Sequence, residues 1–327
     1  MKLLLFCIFC FIWLSAVATE GESTRLLRFP SIHGERVVFT YGGNLYTAST
    51  EGGVARKLTS DPGFEMFARF SPDGSKIAFT AQYDGNTEVY VMDANGGVPK
   101  RLTHSATLSR DCISDRMGPN NIVMTWTPDG KHIIYRSRKR SFNDFIGQLY
   151  KVSVDGGLSE PLPLSTGGFC SFSPDGKQLV FNRVFREFRT WKYYRGGMAD
   201  DLWLYDFTTG QSRRLFEHWS QDIFPMWYGN YIYFTSDRYR TMNLFSLNIA
   251  TGEVKKLTDY TLYDIKFPSL GDGRIIYENG GFLHIYDIEE GIAKQIDILI
   301  ADDQPAVRPQ LIDATPYIGT VTVSPDG

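Results

Sequence analysis

One unit recurs six times along the 327 residues, and self-similarity at a fixed spacing restricts the fold more than any other feature. Its first half is a Ser/Thr-Pro-Asp-Gly turn followed by a short β-run. Ser71-Pro72-Asp73-Gly74 precedes KIAFTA, Thr127-Pro128-Asp129-Gly130 precedes KHIIYRS, and Ser173-Pro174-Asp175-Gly176 precedes KQLVFNR. Shorter versions are His33-Gly34 before ERVVFT, Tyr228-Gly229-Asn230 before YIYFTSD, and Gly271-Asp272-Gly273 before RIIYEN. Pro presets φ, Asp bonds its own backbone and Gly accepts positive φ, so each turn joins two antiparallel strands.

The second half is a further apolar-aromatic run, a Gly turn and a closing basic strand. It reads NLYTASTEGGVARKLT at 44–59, EVYVMDANGGVPKRLT at 88–103 and QLYKVSVDGGLSEPLP at 148–163. The remaining copies are DLWLYDFTTGQSRRLF at 201–216, NLFSLNIATGEVKKLT at 243–258 and FLHIYDIEEGIAKQI at 282–296. A short run such as FARF, VMTW, CSF, PMW or IKF precedes the first turn, giving four strands per unit. Units of roughly 40 to 56 residues with four alternating strands predict an all-β, six-bladed β-propeller of four-stranded antiparallel blades. The blades occupy residues 25–300. No window offers an amphipathic helix.

Composition agrees with such a fold and excludes others. Aromatic residues are 14% of the chain and there are 31 Gly and 15 Pro, as strands with many tight turns require. The formal charge of −3 gives no reason to expect nucleic acid as a partner. Residues 1–18, MKLLLFCIFCFIWLSAVA, read as a signal peptide: one Lys, a short apolar run, then the small residues Ala16 and Ala18. The run is short of the ~20 residues of a membrane span. We therefore expect an exported protein, periplasmic or extracellular, without a membrane span once the signal is removed. Of four Cys, Cys112 and Cys170 remain after cleavage. They are either a disulfide or two buried thiols.

No catalytic or nucleotide signature is present: there is no G-x-S-x-G elbow, H-E-x-x-H pair or Gly-rich phosphate loop. The five His are scattered without metal-ligand spacing. We expect no catalytic residue, metal or cofactor in this chain. Cations gather instead on the third and fourth units. Arg136, Arg138, Lys139 and Arg140 lie between two strands of the third, with Arg110 and Arg116 in the connection before it. Arg183, Arg186, Arg189, Lys192 and Arg195 alternate with Phe185, Phe188, Trp191, Tyr193 and Tyr194 in the fourth. Such a set either receives an anion, for instance a peptide carboxylate, or stacks on its aromatic neighbours for stability.

The segment Trp191-Lys192-Tyr193-Tyr194-Arg195-Gly196-Gly197 and the opening FPSIHGERVVFTYGGNLYTAS at 29–49 resemble the tricorn protease family. The repeats alone resemble the TolB-type propeller repeat. The resemblance extends over the register of all six units, as that family's N-terminal propeller. It implies a longer protein, with a second propeller, a PDZ domain and a serine-peptidase core. It also implies a non-catalytic role here: a channel that guides products, and an adjacent Arg pair that anchors the carboxylate of a peptide substrate. The matching segment is Asp115-Arg116-Met117, so Arg116 aligns and its neighbour is acidic. Arg116 is therefore the first candidate for the carboxylate contact, followed by Arg195, Lys192 and Arg110. The partners so implied are peptides and the C-terminal domains of the parent chain, with a possible homo-oligomer. Residues 301–327 read as a linker and, at Val321-Thr322-Val323-Ser324-Pro325-Asp326-Gly327, as the opening of a following propeller or a strand that closes the first. Two rival readings are a stand-alone TolB-type propeller that binds a protein or glycan, and the propeller of a dipeptidyl-peptidase-like enzyme.

Overall fold

A computed structural model of the chain describes residues 22–106, 119–141, 146–185, 193–304 and 308–327. Strands follow one another in chain order within each blade. The first blade holds β1 (Arg28–His33), β2 (Arg36–Tyr41), β3 (Asn44–Ser49) and β4 (Gly52–Lys57). The second holds β5 (Glu65–Phe70), β6 (Lys76–Ala81), β7 (Glu88–Asp93) and β8 (Lys100–Arg101). The third holds β9 (Ile122–Trp126), β10 (His132–Ser137), β11 (Gln148–Ser153) and β12 (Glu160–Pro161). The fourth holds β13 (Cys170–Phe172), β14 (Gln178–Asn182), β15 (Leu202–Asp206) and β16 (Gln211–Arg214). The fifth holds β17 (Asp222–Tyr228), β18 (Tyr231–Ser236), β19 (Asn243–Asn248) and β20 (Val254–Lys256). The sixth holds β21 (Lys266–Gly271), β22 (Arg274–Asn279), β23 (Phe282–Asp287) and β24 (Ile292–Ile296). Six blades surround one axis, with β1, β5, β9, β13, β17 and β21 innermost.

The repeated motifs have repeated jobs. In the turn after β5, Ser71 Oγ donates to Asp73 Oδ1 at 2.6 Å and accepts from Lys76 N–H at 2.9 Å. Thr127 with Asp129 and Ser173 with Asp175 repeat this bond at 2.6 Å. Gly74 completes its turn at φ +67°, where a side chain is disfavoured. The closing Leu-Thr of three blades is also explained. Thr59, Thr103 and Thr258 each accept, through Oγ1, the N–H that opens the third strand of their own blade, at Leu45, Val89 and Leu244. The Thr side chain thereby satisfies a third-strand amide just beyond the ladder with the fourth strand.

The first blade departs from the four-strand expectation. A fifth strand, β25 (Ile298–Ile300), pairs in parallel with β4, Leu299 opposite Val54. It follows β24 of the sixth blade directly, so one continuous stretch ties the last blade to the first. Ile298 is fully buried in the core between these two blades, with Ile276, Leu283, Val37 and Tyr46. Gly53 N–H donates to Asp297 O at 2.8 Å, and a Cβ at Gly52 would run into that same carbonyl oxygen. The inner edge is tied as well: Glu278 accepts from Phe29 N–H at 2.6 Å and from Arg28 Nε at 2.8 Å. Closure thus belongs to Ile298–Ile300, not to residues 321–327, which are exposed and carry no strand.

Candidate functional site

Along the axis the inner strands build two stacked layers. In five of them the pairing with the second strand is interrupted, between Arg28 and Ser31, Met66 and Arg69, Val123 and Thr125, Ile223 and Met226, and Lys266 and Ser269. Within four of these interruptions one Phe takes a left-handed backbone: Phe29 at φ +51°, Phe67 at +54°, Phe224 at +57° and Phe267 at +44°. This conformation is costly for a bulky residue and persists only where the surroundings demand it. What demands it here is the axis. Phe29 meets Phe67 at 4.3 Å between ring centroids, and Phe267 at 4.7 Å. Phe224 meets Phe267 at 5.5 Å and Phe169 at 4.2 Å. Phe267 also reaches Phe67 at 5.8 Å and Phe169 at 6.4 Å. Five blades therefore send a phenyl ring to the same point, and Met124 of the third packs into the same core. All six side chains are buried. The through-channel that the family resemblance implies is closed at this level by an aromatic plug.

One register step towards the turns, the layer changes character. Pairing with the second strand places Ser31 opposite Val38, Arg69 opposite Ala78 and Thr125 opposite Ile134. It likewise places Ser171 opposite Val180, Met226 opposite Tyr233 and Ser269 opposite Ile276. These six equivalent positions form a ring of four hydroxyls, one Met and one Arg. All six line a cavity of about 340 Å³ that opens on the face carrying the Ser-Pro-Asp-Gly turns. Trp126, Trp227 and Phe172 line it as well, and Phe169 and Phe224 belong to its lining as part of the plug beneath.

Arg69 is the one cation of this ring. It is 8% exposed. Its Nη1 donates to Ala68 O at 2.9 Å and Pro30 O at 3.4 Å, and its Nε to Met124 O at 3.3 Å. Its Nη2 donates to no described group, and no carboxylate of the described residues pairs with it. Burial lowers its pKa to about 10, which leaves it charged at neutral pH. The neighbouring Cys170 thiol is buried, free and pushed upward by burial, so it supplies no negative charge. The one acid on the cavity rim, Asp272, is engaged by Gly34 N–H at 2.6 Å and His33 Nδ1 at 3.4 Å.

The cations singled out by sequence are placed differently. Arg110, Arg116 and Lys192 lie outside the described residues, as do Cys112 and the leader at 1–18. Arg195 is described: its Nη1 pairs with the buried Asp237 at 3.0 Å and its guanidinium lies 4.7 Å from the Trp219 ring. Arg136 is buried 4.7 Å from Phe185, Lys139 is 4.0 Å from Tyr150, and Arg183 is 4.5 Å from Trp203. Arg136, Lys139, Arg183 and Arg195 are therefore stacked on aromatic rings, each contact contributing about 0.5–2 kcal/mol. Arg69 was not among the expected residues. It sits in FARF, which reads as a core strand. The one available signal was a charge at the position that holds Ser in three other units.

Among the described residues no three His, Cys, Asp or Glu side chains cluster as metal ligands, and no helix is long and apolar enough to cross a membrane.

Comparison with known proteins accounts for this architecture. The model of the tricorn protease N-terminal β-propeller domain matches residues 24–291. Tricorn protease homolog 1 of Streptomyces coelicolor is 29% identical over 315 residues, spanning 94% of this chain and 28% of its own length. A chain of Sulfurisphaera tokodaii, named as a tricorn-like protease N-terminal subunit, is 24% identical over 173 residues, covering 53% of this chain and 83% of its own. The crystal structure of the tricorn protease superposes with a TM-score of 0.70 at 25% identity, over 83% of this chain and 26% of that one. The chain thus spans about a quarter of the length of the full tricorn proteins it matches. This chain belongs to the tricorn protease N-terminal β-propeller domain family.

Proposed function

We propose that the chain is the non-catalytic propeller of an exported tricorn-like serine peptidase and anchors peptides for proteolysis carried out elsewhere. The observation that carries this reading is the family match over 24–291, which takes in five blades and the first three strands of the sixth. The S. tokodaii relative supports it, because its name describes a chain that matches 53% of this one as the N-terminal subunit of a tricorn-like protease. Partners of this chain are accordingly the remaining parts of the peptidase, and short peptides. The signal-like residues 1–18 support a periplasmic or extracellular site of action.

Of the two roles that the resemblance implies, anchoring suits the geometry better than routing. Passage along the axis requires five buried phenyl rings to separate, whereas anchoring requires no such passage. The test is kinetic. With the complete peptidase assembled, Arg116→Ala should raise KM for short peptides with a free C-terminus about tenfold or more, the worth of one charged hydrogen bond, and leave amidated peptides nearly unchanged. Equal effects on both peptide classes would contradict anchoring at this residue.

A further inference from the structure

The cavity above the plug has no counterpart among the residues that the family resemblance brings forward. We infer that it is a carboxylate-binding site, with Arg69 as its cation and the hydroxyl ring as its neutral donors. Six equivalent positions face one axis, and five are neutral: Ser31, Thr125, Ser171, Met226 and Ser269. A guanidinium at an inner-strand position is costly, since removing a cation from water without a counter-charge is expensive. Yet Arg69 is more than nine-tenths buried. Its three hydrogen bonds go to backbone carbonyls of blades one, two and three. These bonds hold the guanidinium in place and leave its charge uncompensated.

What remains free matches one ligand group. Nη2 keeps its two N–H donors. Ser31 and Ser269, both buried, make no side-chain hydrogen bond to a described residue. Ser171 Oγ accepts from Trp227 N–H at 3.0 Å, which leaves its own proton to give. A cation and hydroxyl donors suit an anion, and a carboxylate satisfies them without the second charge of a phosphate. The indoles of Trp126 and Trp227 and the prolines of the turns flank the entrance, and an apolar wall favours a carboxylate carried on an organic chain. A peptide end is such a chain. That choice of carrier rests on the proposed function above; the carboxylate chemistry does not.

The test is titration of the whole 327-residue chain with acetyl-Ala-Ala-Ala as free acid and as amide, read calorimetrically and by Trp fluorescence. The free acid should bind at least tenfold more tightly than the amide. A third probe, acetyl-Ala-Ala-Asp amide, shows whether a side-chain carboxylate serves as well as the C-terminal one; either carboxylate supports the site. Arg69→Met should reduce the preference for acid over amide to less than twofold. Should that variant fail to fold, Ser31→Asp replaces it: a resident carboxylate beside Arg69 should remove acid binding while raising the Tm of the unliganded protein. The inference is overturned if the wild-type chain binds acid and amide alike, binds neither, or keeps its preference in the variant. Because no peptidase takes part, such a failure leaves the anchoring role of the basic loops standing. Conversely, binding here together with unchanged selectivity in the Arg116→Ala kinetics contradicts that role alone.

Discussion

The aromatic plug and the hydroxyl ring are built from neighbouring positions of the same six inner strands, yet they differ in how strictly the repeat is kept. In the plug, five of six blades supply Phe and the sixth supplies Met124. Four of the Phe accept a left-handed backbone in order to reach the axis. One step above, Ser, Thr, Met and Arg occupy equivalent places. Every blade meets the same close-packed space at the plug, and close packing tolerates little variation in size. Where the axis opens into a cavity that constraint lapses. The single guanidinium there is the departure that packing does not explain. The plug is apolar in every blade, Met124 included, whereas the ring above it carries one charge.

The largest expected effect tests the plug. Phe267→Ala removes the ring that meets four others, and should cost about 3–5 kcal/mol in denaturant unfolding, as buried Phe truncations do. A loss below about 1 kcal/mol would break the comparison, since the layer would then not be core.

An intermediate effect comes from Glu65, two residues before Phe67 on β5. Its carboxylate is fully buried and accepts from Asn44 Nδ2 at 3.0 Å and Thr59 Oγ1 at 3.1 Å. Burial raises its pKa to about 7. A folded-state value above the unfolded one means that the folded protein binds the extra proton. Stability from this group is therefore greatest below the ordinary carboxylate range and is lost as pH rises through about 7. The wild type should be more stable at pH 5 than at pH 8, by up to roughly 3 kcal/mol at ~1.4 kcal/mol per pKa unit. Glu65→Gln should flatten that slope, and an unchanged slope would show that the charge is not what the buried site resists.

The smallest effect belongs to the upper ring. Ser269→Ala should change stability by less than about 1 kcal/mol, because its hydroxyl bonds to nothing described. A loss rivalling that of Phe267→Ala would erase the distinction between the layers.

Much of this was legible in the sequence for a definite reason. The Ser-Pro-Asp-Gly turn reports its own hydrogen bonds, and strand alternation reports the blades. Closure was not legible, because β25 pairs in parallel with β4 across the ring and no turn announces such a partner. The plug was obscured by its own bulges: a bulge breaks the alternation by which strands are read, so Phe29, Phe67, Phe224 and Phe267 look like ordinary apolar residues. Arg69 was hidden by its apolar neighbours Phe67, Ala68 and Phe70. Of the cations that composition made conspicuous, Arg195 is paired with Asp237 and stacked on Trp219. The conspicuous Arg195 sits in a loop held by a carboxylate and an aromatic ring, whereas Arg69 lies inside an apolar strand.

The most direct measurement is a crystal structure of the chain with acetyl-Ala-Ala-Ala free acid bound. The account predicts the peptide on the turn side of a closed phenyl plug, its carboxylate on Arg69 Nη2 and the ring hydroxyls. A peptide threaded along the axis past Phe67 and Phe267, or a carboxylate bound elsewhere while Arg69 stays empty, would contradict it.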